Sequence, residues 1–168
     1  TDTFRLSDDF GNDTIYGGEG GIDRDTVDLS ALGAPVTITH TADQTGSLTD
    51  GSDTALFDGV ERFVLTDGAD SVAGVSDTAG TTIEANGGAD NITTGDGEDS
   101  IDGGTGADVI SADHGNDTLI GGEGNDRMNG GNGFDTMFGD AGNDRMNGQN
   151  EDDIMHGGDG NDRMNGNN

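Results

Sequence analysis

The chain has 168 residues, a formal charge of −29, 33 glycines, no cysteine, no tryptophan and a single proline. Leu, Ile, Val and Phe supply only 29 of the 168 positions, too little apolar surface for so much like charge to fold by burial alone. No residue is lysine and all six cations are arginine, which argues against nucleic acid or an anionic membrane as partner. The lack of cysteine removes disulfides and zinc thiolates, and no apolar run reaches the ~20 residues of a membrane-spanning helix.

In chain order, residues 1–28 carry "FGNDTIYGGEGG", in which glycine and aspartate bracket a short apolar run. Residues 29–84 lack that spacing. There "VTITH", "GSLT", "TALF" and "ERFVLT" alternate or cluster apolar residues between turn signals such as "TDGSD" and "FDG", which predicts three or four short strands. Asp70 and Val72 in "DGADSVAG" start a new pattern, but Asp70 precedes Asp90 by 20 residues where every later step on one edge is 18. A two-residue insertion near Gly74-Val75 accounts for the difference.

Residues 85–168 are strictly periodic. An aspartate falls every nine residues at Asp90, Asp99, Asp108, Asp117, Asp126, Asp135, Asp144, Asp153 and Asp162. Two positions after each stands an apolar residue: Ile92, Ile101, Ile110, Leu119, Met128, Met137, Met146, Met155 and Met164. The unit reads G-G-x-G-x-D-x-U-x, as in "GGTGADVIS", "GGEGNDRMN" and "GGDGNDRMN". Three residues after the aspartate are too few for a helix but enough for a strand whose middle side chain points inward. Glycines at the first, second and fourth positions let consecutive carbonyls turn toward one point, and the aspartate adds a hard anionic oxygen. Oxygen-only, flexible coordination of this kind suits Ca²⁺, whereas Mg²⁺ retains several waters. No window fits the aspartate-rich loop of an EF-hand with its closing glutamate.

This unit resembles the hemolysin-type (RTX) calcium-binding repeat, densely over residues 85–168 and in a degenerate form over 1–28. The resemblance implies an all-β chain forming a right-handed parallel β-roll, a β-solenoid with bound calcium ions. Residues 29–84 would cap or continue it as a less regular β-rich part. Each coil takes two units, about 18 residues, so the loops fall on two opposite edges. The family implies that each ion is clamped between successive loops on one edge. The ligands would be the nine aspartates together with the turns at Gly104, Gly106, Gly122, Gly124, Gly131, Gly133, Gly142, Gly158 and Gly160. Five loops on the first edge and four on the second give about seven ions if every adjacent pair fills. The first edge is expected to fill better, because on the second Ala112 and Glu151 replace glycines of the unit.

The remaining residues point to no catalysis. His40, His114 and His156 are isolated in sequence, no cysteine nucleophile exists, and no G-x-S-x-G occurs. The segment is therefore expected not to be an enzyme.

The heptapeptide "GNDRMNG" recurs every 18 residues, so one outer face should carry a column of Arg127, Arg145 and Arg163 beside Asn129, Asn147 and Asn165. The opposite face should carry Ile120, Phe138 and Ile154, a possible contact surface for a second copy or a neighbouring domain. Arginines one rung apart repel, so nearby carboxylates or an anionic partner should offset them. The expected role is a calcium-dependent structural module of a secreted, extracellular bacterial protein, folding after export through a type I channel. Such a parent would be a cell-surface or matrix protein, with self-assembly among its expected roles. The alternatives are a folding and secretion module attached to an extracellular protease, lipase or epimerase, and a segment binding anionic polysaccharide. The chain opens at Thr1 and stops inside a repeat, which reads as a piece of a longer polypeptide.

Overall fold

A computed structural model describes residues 1–168 except 9, 19–23, 43, 75–78 and 168. The chain is an all-β parallel solenoid, with no helix among the described residues. Its strands run β1 (Thr3–Arg5), β2 (Thr14–Tyr16), β3 (Thr26–Asp28), β4 (Thr37–Ala42), β5 (Thr45–Thr49), β6 (Thr54–Asp58), β7 (Arg62–Val64), β8 (Ser71–Ala73) and β9 (Thr82–Glu84) in the first half. The repeat half supplies β10 (Asn91–Thr93), β11 (Ser100–Asp102), β12 (Val109–His114), β13 (Thr118–Glu123), β14 (Arg127–Asn132), β15 (Thr136–Ala141), β16 (Arg145–Asn150), β17 (Ile154–His156) and β18 (Arg163–Asn165). Two sheets face each other across the core. An 8-stranded sheet is ordered β1-β3-β7-β9-β11-β13-β15-β17, and a 10-stranded sheet β18-β16-β14-β12-β10-β8-β4-β5-β6-β2.

The nine-residue period is the cause of this alternation. Each unit contributes one rung to one sheet, and the next unit crosses to the other. Partners in the repeat half are accordingly 18 apart, as Ile92 with Ile110 and Leu119 with Met137. The inward column Ile83, Ile92, Ile101, Ile110, Leu119, Met128, Met137 and Met146 is almost fully buried. Met128, Met137 and Met146 are thus core, filling a narrow interior with an unbranched side chain, whereas Met155 is half-buried and Met164 is 50% exposed, so the last of the stripe expected inside is not. Strands β12 to β16 have six residues, not three, because coil-to-coil bonds continue into the loops, where Glu123 N–H donates to Gly104 O at 2.8 Å.

Among the described residues, 29–84 hold six strands where the sequence pattern predicts three or four. Strands β4, β5 and β6 form an antiparallel meander inserted in the 10-stranded sheet. Its first strand pairs in parallel with β8 and its last with β2. One coil therefore crosses this sheet three times, which is why it has two strands more than its partner. The rings of His40, Phe57 and Phe63 pack inside that coil with centroids 5.0 to 5.4 Å apart. The 20-residue step is also present, as Ser71 with Asn91 and Arg62 with Thr82. Both pairs place the two extra residues between β8 and β9, and the predicted insertion at Gly74-Val75 extends into 75–78, outside the described residues.

Candidate metal centre

The aspartates of the repeat form two columns, one along each edge. On the first edge, Asp90 N–H donates to Asp108 Oδ1 at 2.8 Å and Asp108 N–H to Asp126 Oδ1 at 2.8 Å. Asp126 bonds Asp144 in the same way at 2.9 Å, and Asp144 bonds Asp162 at 3.0 Å. On the second edge Asp99, Asp117, Asp135 and Asp153 make the same chain at 2.8 to 3.0 Å. One carboxylate oxygen of each aspartate thus caps the preceding coil.

The other oxygen has no such use. Oδ2 of Asp90, Asp99, Asp108, Asp117, Asp126, Asp135, Asp144 and Asp153 is buried without a hydrogen-bond partner. An unpaired buried carboxylate oxygen is costly unless a cation or proton meets it. Burial, with neighbouring carboxylates adding to it, pushes Asp90 and Asp117 up to about 7 and Asp126 up to about 6. Burial also raises Asp108, Asp135 and Asp144. The backbone bonds to these groups act in the opposite direction and are outweighed.

Around these oxygens lie backbone carbonyls. A Cβ placed on Gly103 would stand 2.6 Å from Asp108 Oδ2 and 2.8 Å from Gly121 O. On Gly121 it would stand 2.6 Å from Asp126 Oδ2 and 3.0 Å from Gly139 O. The unit's first glycine therefore leaves a small space that a carboxylate and a carbonyl of the next coil both face. All nine glycines singled out in the sequence, Gly104 through Gly160, have positive φ, between 85° and 151°. Gly124, at φ 149°, turns its Cα face onto the carbonyl of Gly106, leaving no room for a side chain.

No group of three or more His, Cys, Asp or Glu side chains among the described residues gathers closely enough to hold a metal by itself. Carbonyls would have to complete each ligand set. Orphaned carboxylate oxygens beside glycine carbonyls, all oxygen and no nitrogen or sulfur, fit a hard, many-coordinate cation such as Ca²⁺.

The second edge keeps the backbone path where the motif fails. Gln149 and Glu151 take positive φ, 77° and 73°, at positions that elsewhere hold glycine, and Glu151 Oε2 accepts the Gly133 N–H at 2.9 Å. The departure at Ala112 has a different result. Its carbonyl accepts the Thr94 hydroxyl at 3.3 Å, so a side chain already uses an oxygen that the regular loops leave to the site.

Sequence reasoning missed the residues that replace a cation in the first half. Asp70 continues the first column, its N–H donating to Asp90 Oδ1 at 2.7 Å. Its own carboxylate accepts Val36 N–H and both the N–H and hydroxyl of Thr66 at 2.6 to 3.0 Å. The loop "LTDGAD" has the regular six residues, with Leu65 and Thr66 where other loops have their first two glycines, and this sets the threonine on the carboxylate; that replacement was legible. On the second edge Asp25 N–H donates to Glu61 Oε2 at 2.7 Å and Asp2 N–H to Asp25 Oδ1 at 2.5 Å. Asp13 is exposed and belongs to neither column.

The outer faces carry the expected columns. Arg127, Arg145 and Arg163 pair rung to rung, as do Asn129, Asn147 and Asn165. On the other sheet Ile120, Phe138 and His156 align, Phe138 stacks on His156 at 5.1 Å, and Ile154 is 56% exposed.

A search of curated proteins found no match. The family model HemolysinCabind, described as the RTX calcium-binding nonapeptide repeat, matches four times, over residues 5–21, 77–110, 102–137 and 138–168. These matches cover more than half of the chain, the last three spanning both aspartate columns of the repeat half, and the chain belongs to the RTX calcium-binding nonapeptide repeat family.

Proposed function

We propose that this chain is a calcium-folded structural module of an extracellular bacterial protein, kept extended where calcium is scarce and folded where it is abundant. The observation that carries this reading is the row of eight buried, unpartnered aspartate oxygens. A chain with −29 formal charge gains little from closing such columns until divalent charge joins them. Bound calcium supplies positive charge and many coordination positions. The chain's aspartates and the carbonyls of its glycine turns hold it, and the strands between them fix the coil spacing. Each ion at ten times its Kd contributes about 1.4 kcal/mol, so several together decide whether the repeats fold.

Export before folding, through a type I channel, is consistent with this scheme, since the unbound repeats repel themselves. A cell-surface or matrix parent is the role we favour over a module attached to an enzyme, because both outer faces present ordered columns suited to contacts. No catalytic role is assigned to this segment. Calcium titration followed by far-UV circular dichroism, with EDTA reversal, tests the central point. A β spectrum that forms without calcium and ignores the chelator would falsify it.

A further inference from the structure

We propose that the outer face of the 10-stranded sheet, from β14 to β18, binds a linear acidic polysaccharide bearing carboxylates. The proposal rests on the calcium-folded reading, since only the folded coil aligns its residues. Arg127, Arg145 and Arg163 stand on successive rungs beside Asn129, Asn147 and Asn165, and the two columns enclose a groove of about 120 Å³.

The arginines of the first half are engaged within the chain. Arg5 pairs with Asp28, Arg62 with Glu84, and Arg24 donates to Thr82. The three in the groove are exposed. Among the described residues no carboxylate lies within salt-bridge reach of any of them, and none of their guanidiniums makes a hydrogen bond. In a protein with 35 acidic residues that is not for want of anions. The aspartate preceding each arginine turns its carboxylate into the edge column, bonded to the backbone of the previous coil. Repulsion between guanidiniums one rung apart is therefore not offset from within.

Guanidinium binds carboxylate bidentately, with its planar fork matched to the two oxygens. The asparagine column adds the second element. Asn147 Nδ2 donates to Asn129 Oδ1 at 3.2 Å and Asn165 Nδ2 to Asn147 Oδ1 at 3.3 Å, which fixes the amides in a row, each with a second N–H in its inventory for hydroxyl oxygens. Rungs repeat at about 4.8 Å, so Arg127 and Arg163, two rungs apart, stand about 10 Å apart, the spacing at which alternate rings of an extended two-fold glycan turn their carboxylates to the same side. Nucleic acid is the poorer occupant. The outward positions of β14, β16 and β18 are arginine and asparagine, with no aromatic ring to stack a base.

The test uses tetragalacturonate, a uronate oligomer too short to gel with calcium, titrated into the calcium-loaded chain and followed by NMR amide shifts. Binding is expected with shifts confined to β14, β16 and β18, and with affinity falling as salt rises. The combined Arg127→Gln, Arg145→Gln and Arg163→Gln variant should weaken it at least about tenfold while keeping its calcium-dependent β spectrum. Should that variant not fold, Asn147→Asp, which sets a negative charge in the row, should weaken binding as well. Absence of binding, shifts mapping elsewhere, unchanged affinity in a folded variant, or equal binding of oligothymidylate would each overturn the proposal. Failure of the calcium-folded reading is seen separately, as a β spectrum indifferent to EDTA.

Discussion

The stretch from Asp25 to Val72 and the repeat half from Ala85 onward share two sheets and one pair of edge columns, yet they satisfy buried carboxylates differently. In the first, Asp70 is met by Thr66 and Val36, Asp25 by Asp2, and the interior is filled by Leu29, Leu32, Leu65, Phe57 and Phe63 around the meander. In the second, the interior is one apolar side chain per nine residues, and eight carboxylate oxygens stay unmet by protein. The same coil can thus be held by side-chain donors and a broad apolar core or, where those are missing, by cations. Calcium dependence should belong to the repeat half and not to the molecule as a whole.

Chelation is the largest perturbation and would break the comparison outright if it failed. In EDTA, amide exchange by mass spectrometry should speed up by orders of magnitude across β11 to β17, while Val27, Leu29, Phe63 and Leu65 keep slow exchange. Uniform loss across both halves would mean that the meander core has no independent stability.

Acid sharpens the contrast through its sign. In the calcium-free folded form Asp90 and Asp117 are raised to about 7 and Asp126 to about 6. A raised carboxyl contributes stability below its unfolded value, near 4, and that contribution is lost as pH rises through 6 to 7. Lowering the pH from 7.5 to about 4.5 in EDTA should therefore increase the β signal of the repeats. In calcium the same change should reduce it, because protons compete for the ligand oxygens. Parallel trends in both buffers would count against the aspartates as ligands.

Glycine substitutions come next. Gly124→Ala, at φ 149° with a carbonyl against its Cα, should cost on the order of 3 kcal/mol. Gly51→Ala, in an open turn at φ 94° with nothing near the added carbon, should cost about 1 kcal/mol. Urea midpoints in calcium compare them, and equal losses would show that the stacked loop yields to a side chain. A subtler pair is Asp126→Asn and Asp70→Asn. The first should raise the calcium midpoint about tenfold, some 1.4 kcal/mol, and be neutral or stabilising in EDTA. The second, losing an acceptor for Thr66, should cost about 1–2 kcal/mol with or without calcium.

The repeat half was legible almost residue by residue, because its period appears twice, once in aspartate and once in the apolar column. Ile92 to Met146 point inward, and the nine selected glycines all occupy positive φ. The meander was not legible as such. "VTITH", "GSLT" and "TALF" announce strands, but no local signal says that three of them will occupy one coil of one sheet. Strand β9 was overlooked because Thr81 stands where the marking aspartate would fall, nine residues before Asp90, although Ile83 keeps the nine-residue count. Thr66 and Glu61 act through contacts 4 and 36 residues distant, the former at a spacing the period could have exposed, the latter only through the fold.

The aspartate caps all run one way. In each column the earlier coil gives the N–H and the later coil gives the oxygen, from Asp90 to Asp162 and from Asp99 to Asp153. The stack consequently has a head and a tail that are chemically unlike. A coil added after β18 brings the acceptors that complete the one before it, while a coil added ahead must bring donors. Growth by further repeats is naturally vectorial, and two such stacks can continue one another head to tail but cannot do so head to head with the same bonds.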